Sequence, residues 1–313
     1  MKLLGLDIGG TKCAAVTAQW DGNSIRLLKK ESCPTDHSVS PETVLERLFA
    51  LADSILDGTP DAVGISCGGP LDSANGIIIG PPNLPGWINI PVVQMAQDHF
   101  GAPTHLQNDA NACAVAEWKF GAGRGTRNMV FLTFGTGLGA GLILDGKLYS
   151  GTNDNAGECG HIRLDRFGPV GFGKAGSFEG FCSGGGLAQL GCTMALESLQ
   201  NGICPAYYQN GPSGVTAKSI AEAARAGDET ACRVYSTCGE YLGRGLAILV
   251  DILNPERIVI GSVFARSNDL MLESMKQSLG AESLPAANAC CEVVAAELGE
   301  NIGDYAALAT ALL

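Results

Sequence analysis

The sequence predicts a duplicated α/β protein with two domains, on three observations. A strand, a glycine turn and a second strand follow one another twice, first at the N-terminus and again from Met129 to Leu148. The hydrophobic content of 46% with 43 glycines is that of an α/β chain rich in tight turns. At 313 residues the chain is long enough for two cores. A repeat so widely spaced implies two similarly built halves facing each other across a cleft.

Taken in order, Lys2 to Leu6 form an apolar strand, Asp7-Ile8-Gly9-Gly10-Thr11-Lys12 a polar glycine turn, and Cys13 to Ala18 the returning strand. Asp21-Gly22-Asn23 turns the chain into a third strand, Ile25 to Ser32. Ser40-Pro41-Glu42 opens a helix with a hydroxyl cap, a proline in the first turn and an acid at the positive end. Val44, Leu45, Leu48, Leu51, Ala52, Ile55 and Leu56 give that helix one apolar face to lay on the sheet.

Asp61 to Cys67 reads as a buried strand ending in Gly68-Gly69-Pro70, a turn that lets backbone approach a ligand. The loop Gly80-Pro81-Pro82-Asn83-Leu84-Pro85-Gly86-Trp87 is stiff and partly apolar, and serves equally as a connector or as a pocket wall. Thr104 to Gln107 is a strand running into Asn108-Asp109-Ala110-Asn111, and Ala112 to Phe120 are helix-forming. Asp109 therefore sits where a strand ends and a helix begins. Position alone favours a helix cap over a general base there.

The second hairpin is Met129 to Phe134, the turn Gly135-Thr136-Gly137-Leu138-Gly139-Ala140-Gly141, then Leu142 to Leu144 closed by Asp145-Gly146. Gly135-x-Gly137-x-x-Ala140 fits a dinucleotide fingerprint, but that motif must open a helix and an apolar run follows instead. Gly168-x-x-x-x-Gly173-Lys174-Ala175 lacks the hydroxyl that would hold magnesium in a P-loop. In both hairpins backbone N-H groups and a threonine offer phosphate a grip without a wall of lysines.

Gly157-Glu158-Cys159-Gly160-His161 and Gly176-Ser177-Phe178-Glu179 bring two carboxylates and an imidazole into a glycine-bracketed stretch, suited to hydrogen-bonding sugar hydroxyls. Cys182-Ser183-Gly184-Gly185-Gly186 closes it. Ala217 to Ala226 and Asp228 to Leu253 read as helices, the second stopped by Asn254-Pro255. Arg257 to Ser262 is a strand with a small-residue turn, Glu292 to Ala296 a last strand, and Gly303 to Leu313 a terminal helix. Asp304 near its start reads as a cap.

The net charge of -12 argues against a nucleic-acid partner. The twelve cysteines are scattered, without a Cys-x-x-Cys pair, as in a reduced cytoplasmic protein. No signal peptide is expected from Met1-Lys2 leading straight into a strand, and no apolar run has the length of a membrane span.

Five motifs in order, Asp7 to Lys12, Asn108 to Ala112, Phe134 to Gly141, Gly157 to His161 and the Glu179 region, make the chain resemble the ROK family (repressors, open reading frames and sugar kinases), its glucokinases and N-acetylmannosamine kinases included. The resemblance runs from residue 3 to Asp304. It implies an actin-like, hexokinase-like (ribonuclease H-like) two-lobed fold that phosphorylates a hexose with ATP and magnesium. The lobes would be residues 1–118, joined by the terminal helix 303–313, and residues 119–302.

By the same resemblance Asp109 is the general base on the sugar hydroxyl at C6. Gly69, Asn83, Asn108, Glu158, His161 and Glu179 bind the sugar. Gly9, Gly10, Thr11, Lys12, Gly135, Thr136 and Gly137 hold phosphate, Gly261 and Ser262 lie near the nucleoside, and Asp7 lies near magnesium. Glucose is the default substrate, and a homodimer is expected by analogy.

Two departures matter. Where family members place three zinc-binding cysteines after the histidine, one position here is deleted or occupied by Val170 and the other two are Phe172 and Ser177, so no structural zinc is expected. Packing of Phe172, Phe178 and Phe181 would support the loop instead and leave His161 for the sugar. The family's repressors carry a DNA-binding domain ahead of the kinase-like part, and none is expected here. A non-catalytic sugar sensor of the same fold is the alternative function.

Overall fold

In the computed structural model, which describes residues 1–313, the first hairpin consists of strands β1 (Lys2–Ile8) and β2 (Lys12–Trp20). They pair antiparallel from Lys2↔Gln19 to Ile8↔Cys13, so the turn is only Gly9 to Thr11, and Asp7 still belongs to the strand. Strand β3 (Ile25–Pro34) lies antiparallel along β2. Helix α1 (Pro41–Ile55) starts as the sequence predicts, with Ser40 Oγ accepting from the Thr43 N-H at 3.3 Å. Strand β4 (Ala62–Cys67) is parallel to β1. A small ribbon, β5 (Leu71–Asp72) and β6 (Ile77–Ile78), precedes helix α2 (Val92–Phe100). Strand β7 (Thr104–Asn108), parallel to β4, runs into helix α3 (Asp109–Phe120).

The sheet order is β3-β2-β1-β4-β7. Alternation along β1 sends Leu4, Leu6 and Ile8 into a core with Val44, Leu45 and Leu48 of α1. Leu3, on the other face, packs with Val16, Ala18, Leu308 and Ala311.

The second hairpin is β8 (Met129–Phe134) and β9 (Leu138–Leu144), continued by β10 (Lys147–Leu148) across Asp145-Gly146. Both turn residues have positive φ, 52° and 74°, as a two-residue hairpin turn of this hand requires. The predicted long glycine turn shrinks to Gly135–Gly137, because Gly139 to Gly141 continue the strand. Gly141 is needed there for a reason of packing: a Cβ would collide with Ala114 and with the Ala110 carbonyl of α3.

Beyond lie a second small hairpin, β11 (Val170–Gly171) and β12 (Lys174–Ala175), and helices α4 (Phe178–Phe181), α5 (Gly184–Gln200), α6 (Ala217–Arg225) and α7 (Glu229–Leu253). Strand β13 (Arg257–Ile260) is followed by α8 (Val263–Ser267), α9 (Leu272–Glu282) and α10 (Pro285–Asn288). Strand β14 (Glu292–Ala295) and helix α11 (Ile302–Thr310) complete the chain. The second sheet has the order β10-β9-β8-β13-β14, with β13 parallel to both β8 and β14. Each five-stranded sheet thus ends in three parallel strands, the last two reached by crossovers, the duplication expected from the repeated hairpin.

Two compact units result. Unit 1 comprises Met1–Gly125, Gly141–Ala156 and Glu297–Leu313; unit 2 comprises Thr126–Ala140 and Gly157–Ala296. In unit 1, α11 lies directly on β1 and β4, because Gly5 and Gly64 leave room for its backbone. A Cβ on Gly64 would overlap the Ala307 carbonyl and the Ala311 N-H. No helix is long and apolar enough to cross a membrane.

Candidate active site

Register brings the candidate residues of unit 1 to one end of its sheet. Ile8 pairs with Cys67 and Cys67 with Asn108, so the parallel strands β1, β4 and β7 deliver Asp7, Gly68-Gly69 and Asn108-Asp109 at their carboxyl ends. Ligands of open α/β sheets sit at such ends.

The β1–β2 turn is built to present N-H groups. Its carbonyls are taken from behind: Thr35 Oγ1 donates to the Gly9 oxygen at 2.6 Å, His37 Nε2 to the Gly10 oxygen at 2.7 Å and the Thr35 N-H to the Thr11 oxygen at 2.9 Å. The Gly9 N-H is spent on the Lys12 carbonyl. The N-H groups of Gly10 and Thr11 have no partner within the protein, and Thr11 and Lys12 are exposed. Gly10 must lack a Cβ because the Asn83 carbonyl lies against it, and a Cβ on Gly68 would meet Asn83 Oδ1 at 3.3 Å. Buried Leu84 and Trp87 anchor the loop that carries exposed Asn83. Gly69 faces open space.

Asp109 is not the cap its position suggested. Asn108 holds that role, its Oδ1 accepting from the Asn111 N-H at 2.7 Å. Asp109 is the first helical residue, and only its Oδ1 has a partner, the Ala110 N-H at 2.9 Å. The side chain is open to solvent, yet the protein surrounding it withdraws enough water to raise its pKa above the ordinary carboxylate range.

Asp304 is not a cap either. It is buried, and Lys30 Nζ lies 2.7 Å from its carboxylate. It also acts on Asp7, whose pKa rises from 3.8 to about 6 through burial first, then the charges of Asp304 and Asp109, against the opposing charges of Lys12 and Lys30. The adjacent Gly303 lies beside Asp7, 3.6 Å separating Oδ2 from where a Cβ on that glycine would be.

Unit 2 carries the other candidates. At the β8–β9 turn the Gly135 N-H donates to the Gly137 oxygen at 3.1 Å, while the Gly135 oxygen accepts from the Gly184 N-H at 2.8 Å. The N-H groups of Thr136 and Gly137 have no protein partner, as at Gly10 and Thr11. Glu179 sits against this turn, its Oε2 accepting from the Leu138 N-H at 3.0 Å and leaving no room for a Cβ on Gly137. Gly157 and Gly160 let the segment with Glu158 and His161 pack on the Ala140 and Leu138 carbonyls of β9. Glu158 is exposed and His161 half-buried within one short 3-10 turn. The Gly261 N-H donates to the Leu132 carbonyl at 3.0 Å, and Ser262 is held at φ 53° and ψ -111°, a strained backbone for a serine. Its Oγ is 3.8 Å from where a Cβ on Gly135 would be.

The contacts of Ser183 and Gly184 were not anticipated. The glycine run is no loop but the first turn of α5, with Ser183 capping the Gly186 N-H at 2.9 Å. Its Gly184 N-H meets the β8–β9 turn. A serine three residues ahead of a helical N-H was the available signal, obscured by three glycines of poor helix propensity. Nothing in the sequence pointed to Lys30, Thr35 or His37.

The support of the His161 segment also differs from expectation. Phe178 and Phe181 are buried, but Phe172 is 76% exposed at the tip of the β11–β12 hairpin and packs no core. Hydrogen bonds hold the segment instead: Gln189 takes both the N-H and the carbonyl of Val170 at 2.9 Å, and buried Ser177 caps α4. Cys182 Sγ donates to the Cys238 carbonyl. No group of three or more His, Cys, Asp or Glu side chains is placed to hold a metal ion.

The ROK family model matches residues 3–312. The chain is 32% identical over 308 residues to the glucokinase of Streptomyces coelicolor, covering 96% of this chain and 94% of that one. It is 33% identical over 262 residues to the N-acetylmannosamine kinase of Citrobacter koseri, covering 83% of each. The crystal structure of a ROK family glucokinase from Streptomyces griseus in complex with glucose and AMPPNP superposes with a TM-score of 0.78 at 30% identity, covering 100% of this chain and 99% of that one.

Proposed function

The chain belongs to the ROK family, with its duplicated actin-like α/β fold, and from that premise we propose that it transfers the γ-phosphoryl group of ATP to a hexose, on the C6 hydroxyl, with glucose as the first substrate to test. The observation that carries this is the state of Asp109: released from capping by Asn108, it keeps one carboxylate oxygen without a protein partner and has a raised pKa. A carboxylate so placed accepts the hydroxyl proton as the oxygen attacks phosphorus.

Each other residue has a role suited to its surroundings. The unpaired N-H groups of Gly10 and Thr11, and of Thr136 and Gly137, receive phosphate oxygens. Asn83, Asn108, Glu158 and His161, with Gly69, hydrogen-bond the sugar. Glu179 orients the β8–β9 turn through Leu138 and offers its remaining oxygen to a hydroxyl. Gly261 and Ser262 flank the nucleoside. Asp7 is the residue that would hold magnesium, because a cation relieves the crowding of its carboxylate by Asp304 and Asp109, and one carboxylate suffices when phosphates supply other ligands. Bound magnesium would neutralise charge on the transferring phosphoryl group.

The relatives named glucokinase and N-acetylmannosamine kinase support a sugar kinase and leave the choice of sugar to experiment. The test is ATP consumption with magnesium across glucose, N-acetylmannosamine, mannose and fructose, with Asp109→Asn in parallel. Turnover on one sugar that is lost in the variant supports the proposal. Sugar binding by calorimetry without turnover on any of them would replace it by a sensor.

A further inference from the structure

His161 is held from two directions by one small hairpin. Phe172, at the tip of β11–β12, has φ 42°, in the left-handed region that disfavours non-glycine residues, and its side chain is largely exposed. Neither backbone preference nor burial accounts for a phenylalanine there. Its ring does make one specific contact, with the imidazole of His161, at 5.2 Å between centroids and 77° between planes. That is the edge-to-face arrangement aromatic rings favour. From β12, Lys174 Nζ donates to the His161 carbonyl at 2.6 Å, a charge-assisted hydrogen bond. The hairpin is fixed in turn, because Gln189 of α5 clamps both backbone groups of Val170 and Arg163 reaches the Ala175 carbonyl.

We infer that the β11–β12 hairpin is the positioning element of His161, with Phe172 setting the plane of the imidazole and Lys174 setting the backbone that carries it. Resting on the sugar-binding role proposed for His161, this makes Phe172 and Lys174 determinants of hexose affinity that act through another residue. An imidazole free to rotate would spend part of its hydrogen-bond energy on being ordered at each binding event, and a contact that orders it beforehand lowers that cost. The effect therefore belongs in KM for the sugar and not in the phosphoryl-transfer step.

Two readouts test it, one independent of activity. The chain has four histidines, so the imidazole signals of protein labelled at histidine are assignable by NMR, His161 through its loss in His161→Gln. In Phe172→Leu the His161 signal shifts while those of His37, His99 and His105 stay, and Phe172→Tyr keeps the wild-type position. In Phe172→Leu and Lys174→Met the hexose KM rises about threefold to tenfold with kcat within about twofold, the scale of one aromatic or charged contact. On a His161→Ala background neither substitution has a further effect. An unmoved His161 signal in Phe172→Leu overturns the inference, as does a KM effect that persists in full without His161. Should the wild-type protein phosphorylate no hexose, the proposed function falls, and the NMR signal alone decides whether the hairpin positions His161.

Discussion

Asp7 and Asp109 lie at the carboxyl ends of β1 and β7, on either side of β4 in one sheet, and their surroundings differ. Asn108 takes the helix cap, so Asp109 is available as a base. Asp109→Asn keeps the shape and removes the proton acceptor, so kcat should fall by about 10²–10⁴ with hexose binding retained, as calorimetry would check. Asp7 lies among other carboxylates, and its folded pKa of about 6 exceeds its ordinary 3.8. The folded state thus binds the proton more tightly than the unfolded one, and Asp7 destabilises the fold progressively as pH rises from 3.8 to 6. Asp7→Asn should accordingly stabilise the protein at pH 7.5, by at most about 3 kcal/mol from the size of the shift, while abolishing turnover. Denaturant unfolding at pH 7.5 and pH 4.5 checks the sign: the gain must shrink at the lower pH. Of these features, the strand-end position of Asp109 was legible but favoured a cap, and the roles expected of both aspartates came from the family resemblance. The capping partner and the Lys30–Asp304 pair were not legible, the latter because its members lie 274 positions apart.

At the scale of elements, local signals served well where propensity and packing agree. The Ser40 cap, the Asp145-Gly146 turn and the Asn254 stop of α7, with φ 45°, each follow from short-range chemistry. They failed at α5, where three glycines open a helix: a Cβ on Gly184 would press on the Gly135 carbonyl and one on Gly186 would collide with the Gly180 carbonyl. The same need for close approach governs α11. Gly64→Val would force its backbone off β4 and should destabilise unit 1 by about 3 kcal/mol or more, seen as a lowered Tm and as faster hydrogen exchange in β1, β4 and α11. An unchanged Tm would mean that α11 does not need this contact.

For the whole molecule, a net charge of -12 leaves anionic ligands to local devices. The two turns are the candidates for such devices, each with two unpartnered N-H groups, and the oxygens of Gly9, Gly10, Thr11, Gly135 and Gly137 are engaged within the protein. The segment around His161 is likewise supported by hydrogen bonds within unit 2, through Gln189, Lys174 and Ser177. Prolonged dialysis against a strong chelator should therefore leave the Tm unchanged. A fall in Tm reversed by zinc would show that a metal supports this segment after all.

The family resemblance supplied most of the residues worth suspecting, and the sequence by itself determined the duplicated hairpins and most strands and helices. These follow from periodicity, caps and turn residues, which act over a few positions along the chain. Tertiary structure alone decided which side chain caps α3, what Asp304 pairs with, that Phe172 leaves the core for the His161 ring, and that α5 begins at the β8–β9 turn. Those outcomes depend on groups distant in sequence competing for the same hydrogen bonds and the same buried space. Only the folded chain sets the terms of that competition.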